Sequence, residues 1–134
     1  FYYRFGNIKY QMGKYQEALE LFQKSQDLLL SSEIQGLRKN IFLGNNAIKS
    51  AYCYYQLNDQ IKALRYCELA EGYFPKHEKI KDFIAELFVL YARIYDKSGN
   101  IAKTNSSLSS ATPYIDYMDF FTLYHYNQLI NKLK

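Results

Sequence analysis

The sequence predicts an all-α fold, an α-solenoid of antiparallel helix hairpins with about three repeats and a C-terminal helix, in a single domain over residues 1–134. Three observations point there. First, three segments share one spacing: Gly6, Gly13, Ala18 and Ser25; Ala51, Asn58, Ala63 and Ala70; Ala92, Gly99, Thr104 and Ala111. In each, a small residue lies twelve before the third position, a turn-forming residue five before it, and another small residue seven after it. Second, two prolines and six glycines are too few to punctuate a turn-rich β fold. Third, apolar residues recur at steps of three and four along most of the chain. A hairpin that cannot bury its apolar face alone stacks on its neighbours, and such stacks make grooves more readily than closed pockets.

In the first segment Tyr2, Phe5, Ile8 and Met12 keep an apolar row at helical spacing. Gly13 then supplies the left-handed residue that closes a helix. The following helix carries Tyr15, Ala18, Leu19, Phe22, Leu28 and Leu29. Ala18 is small because two helices of a hairpin approach closely there. In the second segment Ile41, Ile48, Ala51 and Tyr54 form one face, and Asp59 reads as an N-cap accepting from free N–H groups of the next helix. Ala63, Cys67 and Ala70 line that next helix, and Phe74-Pro75 closes it. The third segment opens with Ile80, Ile84, Leu87, Phe88, Tyr91 and Tyr95, then turns at Gly99-Asn100 with Asn100 as N-cap. The serine-rich stretch Thr104 to Ser110 has weak helical propensity. Its stripe of Ile101, Leu108 and Ala111 still predicts a helix, ended by Pro113. A final aromatic helix is expected from about Ile115 to Leu133, with Phe120, Phe121, Tyr124, Leu129 and Leu133. The period is uneven, 45 residues and then 41, while the spacing within hairpins is constant, so the extra residues fall between repeats, where segments such as Ser31 to Asn40 lengthen helices or the connection between hairpins.

Composition limits the function. Hydrophobic residues make up 49% of the chain, which excludes a disordered tail. No stretch of about 18 apolar residues occurs, so no membrane contact is expected. The chain begins at Phe1 rather than methionine and reads as an excerpt of a longer protein. The net charge of +4 is spread among acids, with no basic run, so nucleic-acid binding is not expected. Fifteen tyrosines and no tryptophan suit half-buried positions and binding faces, since tyrosine joins an apolar body to a polar tip. Cys53 and Cys67 lie symmetrically about the Asn58-Asp59-Gln60 turn and read as free buried thiols at similar heights on facing helices.

These residues resemble the tetratricopeptide repeat family, whose signature is W-x2-L-G-x2-Y, then A-x3-F, then P. The second segment carries Ala51, Tyr54, Ala63, Ala70 and Pro75 in the expected places. The first carries Tyr2, Phe5, Gly6, Ala18 and Phe22, with Lys9 in place of the tyrosine. The third carries Phe88, Tyr91, Ala92, Tyr95, Leu108 and Ala111, with Thr104 in place of alanine. The period exceeds the family's usual 34, as in longer repeats of bacterial peptide-pheromone receptors and kinesin light chain. The resemblance implies that the first helix of each hairpin lines a concave face that reads an extended peptide or a partner helix. It places Tyr3, Asn7 and Tyr10 on that face from the first segment. The second contributes Asn45, Lys49, Tyr52, Tyr55 and Gln56, and the third Glu86, Arg93, Asp96 and Lys97. Amides there pair with a peptide backbone, tyrosines stack, and Lys49 and Arg93 hold a carboxylate. Of the positions that clamp a C-terminal carboxylate in one variant of the family, only Asn7 matches, which argues against that mode.

No catalytic constellation is present. His77 reads as a surface residue and His125 as half-buried. Neither belongs to a metal-ligand spacing, and no phosphate-binding glycine loop occurs, so neither a metal nor any other cofactor is expected. The expected role is a non-catalytic protein- or peptide-binding scaffold. The alternative is a ligand-sensing module regulating an attached DNA-binding or histidine-kinase domain. Its terminal aromatic helix, apolar around much of its circumference, would promote self-association.

Overall fold

The computed structural model describes residues 1–74 and 80–134, which group into two compact units, Phe1–Pro75 and Lys76–Lys134. The protein is all-α, and no strand occurs among the described residues. The first unit holds α1 (Tyr2–Gln11), α2 (Tyr15–Ser31), α3 (Gly36–Gln56) and α4 (Gln60–Tyr73). The second holds α5 (Lys81–Lys97), α6 (Ile101–Ala111), a 3-10 helix (Thr112–Tyr117) and α7 (Phe120–Lys132).

Three hairpins, α1–α2, α3–α4 and α5–α6, follow from three tight turns of the same chemistry. Gly13 (φ 78°), Asn58 (φ 61°) and Gly99 (φ 79°) occupy the left-handed region that ends the preceding helix. Asparagine tolerates that region better than most residues with a side chain, which is why it can stand where the other turns use glycine. Two residues later, after a single N-cap residue, the next helix begins. Asp59 accepts from the Lys62 N–H and Asn100 from the Lys103 N–H, each at 3.1 Å, so both expected N-caps are in place.

Small residues mark the close approaches. Ala18, Ala63 and Thr104 are fully buried, as are Ala51 and Ala92. Thr104 satisfies its hydroxyl by donating to the Asn100 carbonyl at 2.7 Å, so it substitutes for alanine without stranding a polar group. Gly6 lies against the Phe22 ring. The first unit's core gathers Ala18, Leu19, Phe22 and Cys53, with Tyr3, Tyr10, Tyr15 and Tyr54 half-buried against it. In the second, Val89, Ala92, Leu108, Ala111, Tyr126 and Leu129 form one buried cluster. The serine-rich α6 forms as expected, because Thr104, Leu108 and Ala111 bury one face while most of its serines stay in solvent.

The structure departs from expectation at several elements. The final helix starts at Phe120 rather than about Ile115. Pro113 sits inside the 3-10 helix, and the Asp119 carboxylate accepts from the Thr122 N–H at 2.7 Å, which sets the new start. A hydrogen bond of 2.7 Å between the Thr112 and Tyr126 hydroxyls ties the 3-10 helix to α7. The apolar row of α1 is exposed at Phe5, Ile8 and Met12, and Leu28 of α2 is exposed as well. The extra residues between the first two hairpins behave as expected, lengthening a helix and the connection: Gly36 to Asn40 belong to α3, which runs 21 residues, and Ser32 to Gln35 form the link. The Pro75 helix stop and the surface position of His77 lie outside the described residues.

Candidate functional site

Helical spacing puts Tyr3, Asn7 and Tyr10 in one row of α1, at i, i+4 and i+7. It puts Asn45, Lys49, Tyr52 and Gln56 in one row of α3, at i, i+4, i+7 and i+11. The first unit brings these two rows together. Asn45 Nδ2 donates to the Tyr3 hydroxyl at 2.7 Å, and Gln56 Nε2 donates to the Tyr10 hydroxyl at 3.2 Å. The residue numbers rise together across the two bonds, so α1 and α3 run in the same direction along each other. The Tyr10 ring lies 6.3 Å from the Tyr52 ring and meets Tyr15 edge-on at 5.2 Å. The face is therefore closed by two amide–phenol rungs, with Asn7 and Lys49 lying between them along their respective helices.

The members differ in what they present. Tyr3, Asn7, Tyr10, Asn45, Lys49 and Gln56 are half-buried, accessible yet held. Tyr52 is only 6% exposed, so its ring supports Tyr10 from beneath rather than facing solvent. Tyr55 is half-buried but turned about 100° from Gln56 on the helix, away from the centre of the row. The Lys49 ammonium sits 5.7 Å from the Tyr52 ring centroid, over its negative face. Cys53, one turn further along, is fully buried, and burial pushes its thiol up to about 12 against the opposing pull of Lys49. Each rung phenol accepts from an amide, and the Tyr3 hydroxyl keeps its own proton to donate. Such a face can exchange hydrogen bonds with a polypeptide backbone and stack aromatic surface against its side chains.

The remaining predicted residues belong to α5 in the second unit. Lys97 is exposed. Asp96 is drawn to α7, where its two carboxylate oxygens accept from the Lys132 ammonium at 2.9 and 3.0 Å. The Arg93 guanidinium lies 5.6 Å from the Phe121 ring centroid, and His125 meets that ring edge-on at 4.5 Å. The imidazole pKa is lowered, first by burial and then by the nearby Arg93 charge. Glu86 is half-buried on the same helix. Sequence reasoning missed the α7 partners of Arg93 and Asp96. The i, i+4 pair Phe121 and His125 was the available signal, though it does not say which helix the pair meets.

Cys53 and Cys67 are free thiols, both buried. Among the described residues, no group of three histidine, cysteine, aspartate or glutamate side chains could hold a metal ion. Nor is any helix there long and apolar enough to cross a membrane. A scan against protein-family models and a search of curated proteins each return no match to this chain.

Proposed function

We propose that the chain is a helical-repeat scaffold, of the tetratricopeptide kind, that binds an extended peptide of a partner protein along the face shared by α1 and α3. The observation that carries this reading is the pair of matched rows, in which Tyr3 and Tyr10 of α1 meet Asn45 and Gln56 of α3. Amides and phenols that already hold one another in fixed geometry are a preorganised set of donors and acceptors, which lowers the ordering cost of taking a peptide. The role needs binding alone and no covalent chemistry.

Selection of peptides from a random display library on the 134-residue chain tests the proposal. The selected peptides are expected to lose affinity for the combined Asn45→Ala and Gln56→Ala variant, whose helical circular dichroism should stay unchanged. Retained affinity in that folded variant would remove the α1–α3 face as the site.

A further inference from the structure

Carboxylates are unevenly distributed among the helices of the first unit, while cations occur on all four. α1 and α3 together carry Arg4, Lys9, Arg38, Lys39 and Lys49, and no aspartate or glutamate. The carboxylates of residues 1–74 lie elsewhere: Glu17, Glu20 and Asp27 on α2, Glu68 and Glu71 on α4, and the other two in connections. Most of the first-helix cations are engaged or lie off the binding rows. Lys9 pairs with Glu17 at 3.3 Å, Arg38 covers the Phe42 ring at 5.6 Å, and Lys39 donates to the carbonyls of Leu30 and Ser32, each at 3.3 Å. Arg4 is exposed and lies outside the Tyr3-Asn7-Tyr10 row.

Lys49 is the cation within the rows, its ammonium 5.7 Å from the Tyr52 ring centroid. It is half-buried, and among the described residues no carboxylate pairs with it. Its neighbours in the rows are neutral amides and phenols, and the Cys53 thiol beside it stays protonated at neutral pH. An ammonium set among neutral amides and phenols, with no carboxylate to compensate it, leaves its charge available to attract an anion.

Resting on the reading that this face takes a peptide, we propose that the peptide is acidic, with an internal aspartate or glutamate side chain docked on Lys49. The residue is internal because the rows continue on both sides of Lys49. Asn45 with Tyr3 lies toward one end, and Gln56 with Tyr10 toward the other. A chain bound along them runs past Lys49 in both directions.

Fluorescence anisotropy with three pools of short labelled peptides tests this. The pools share randomised neutral positions and blocked ends, and differ only in a central Glu, Gln or Lys. The Glu pool is expected to bind roughly tenfold more tightly than the Gln pool, as one charge-assisted hydrogen bond would give, with the Lys pool weakest. The Glu preference should shrink as salt rises, vanish in Lys49→Gln and persist in Lys49→Arg. If the Gln pool binds as tightly as the Glu pool while Asn45→Ala weakens both, the acidic ligand is wrong and the face stands. If no pool binds, or if binding ignores Asn45→Ala, both readings fall. Should Lys49→Gln lose its helical circular dichroism, the pool comparison on the wild-type chain decides the matter.

Discussion

Gly6 is dictated by the ring opposite it. A Cβ there would lie 2.6 Å from Phe22 Cε1, closer than any side chain sits without displacement. The equivalent positions hold Ala51 and Ala92, and the residues equivalent to Phe22 are the smaller Cys67 and Leu108. Volume is thus traded across each hairpin, a bulkier second helix requiring a smaller first one. Gly6→Ala is expected to lower stability by about 1–3 kcal/mol through overpacking. Adding Phe22→Leu should recover part of that loss, a coupling expected only of residues in contact. Denaturant unfolding of the two single variants and the double variant measures it. The buried thiols give a second prediction at this scale. Burial raises Cys53 to about 12 and pushes Cys67 up as well, so folding favours the protonated thiols. That contribution is complete below the ordinary thiol range and is lost as pH climbs from there toward the raised values. Stability should fall over that alkaline window in the native chain and fall less in a Cys53→Ala, Cys67→Ala variant. Near neutral pH, alkylation of both thiols should wait on unfolding.

Helix boundaries were legible wherever turn chemistry was local. Gly13, Asn58 and Gly99 announce left-handed turns, and Asp59 and Asn100 announce caps, because those functions need only the residue and its immediate neighbours. The start of α7 was not read correctly. Ile115 and Tyr117 prolong the apolar pattern through the 3-10 helix and mask Asp119, whose side chain sets the true N-terminus. Asp119→Ala is expected to cost about 1 kcal/mol and to fray the first turn of α7, seen as faster amide exchange at Thr122 and Leu123. The apolar row of α1 was also legible as a row. Its exposure was not, because periodicity shows which residues share a face and not what lies against it. The side of α1 that meets α2 is marked instead by a buried glycine, which carries no hydrophobic signal.

At the scale of the molecule, part of the candidate site could be read and part could not. Tyr3, Asn7 and Tyr10, and likewise Asn45, Lys49 and Gln56, follow from spacing along single helices. That Tyr3 meets Asn45 and Tyr10 meets Gln56 depends on the register of α1 against α3. That register is set through the length of α2 and the Ser32 to Gln35 connection, and no residue pattern displays it. Surface chemistry is the other whole-molecule property, and it leads to association. Along α1 and the residues flanking it, Phe1, Phe5, Ile8 and Met12 form one exposed stripe at i, i+4, i+7 and i+11, with Phe1 83% exposed. On α7, Phe120 is 88% exposed and Tyr124 lies one turn on, while Phe121 is engaged by Arg93 and His125. Apolar patches of that continuity drive contact between molecules. The chain is therefore expected to self-associate with rising concentration in sedimentation velocity. Both faces should contribute, and the longer α1 stripe should contribute more. Combined Phe5→Gln and Ile8→Gln should reduce association further than Phe120→Gln, since it interrupts the middle of the stripe. A fully monomeric Phe120→Gln variant would place the contact on α7 alone and exclude the α1 stripe from it.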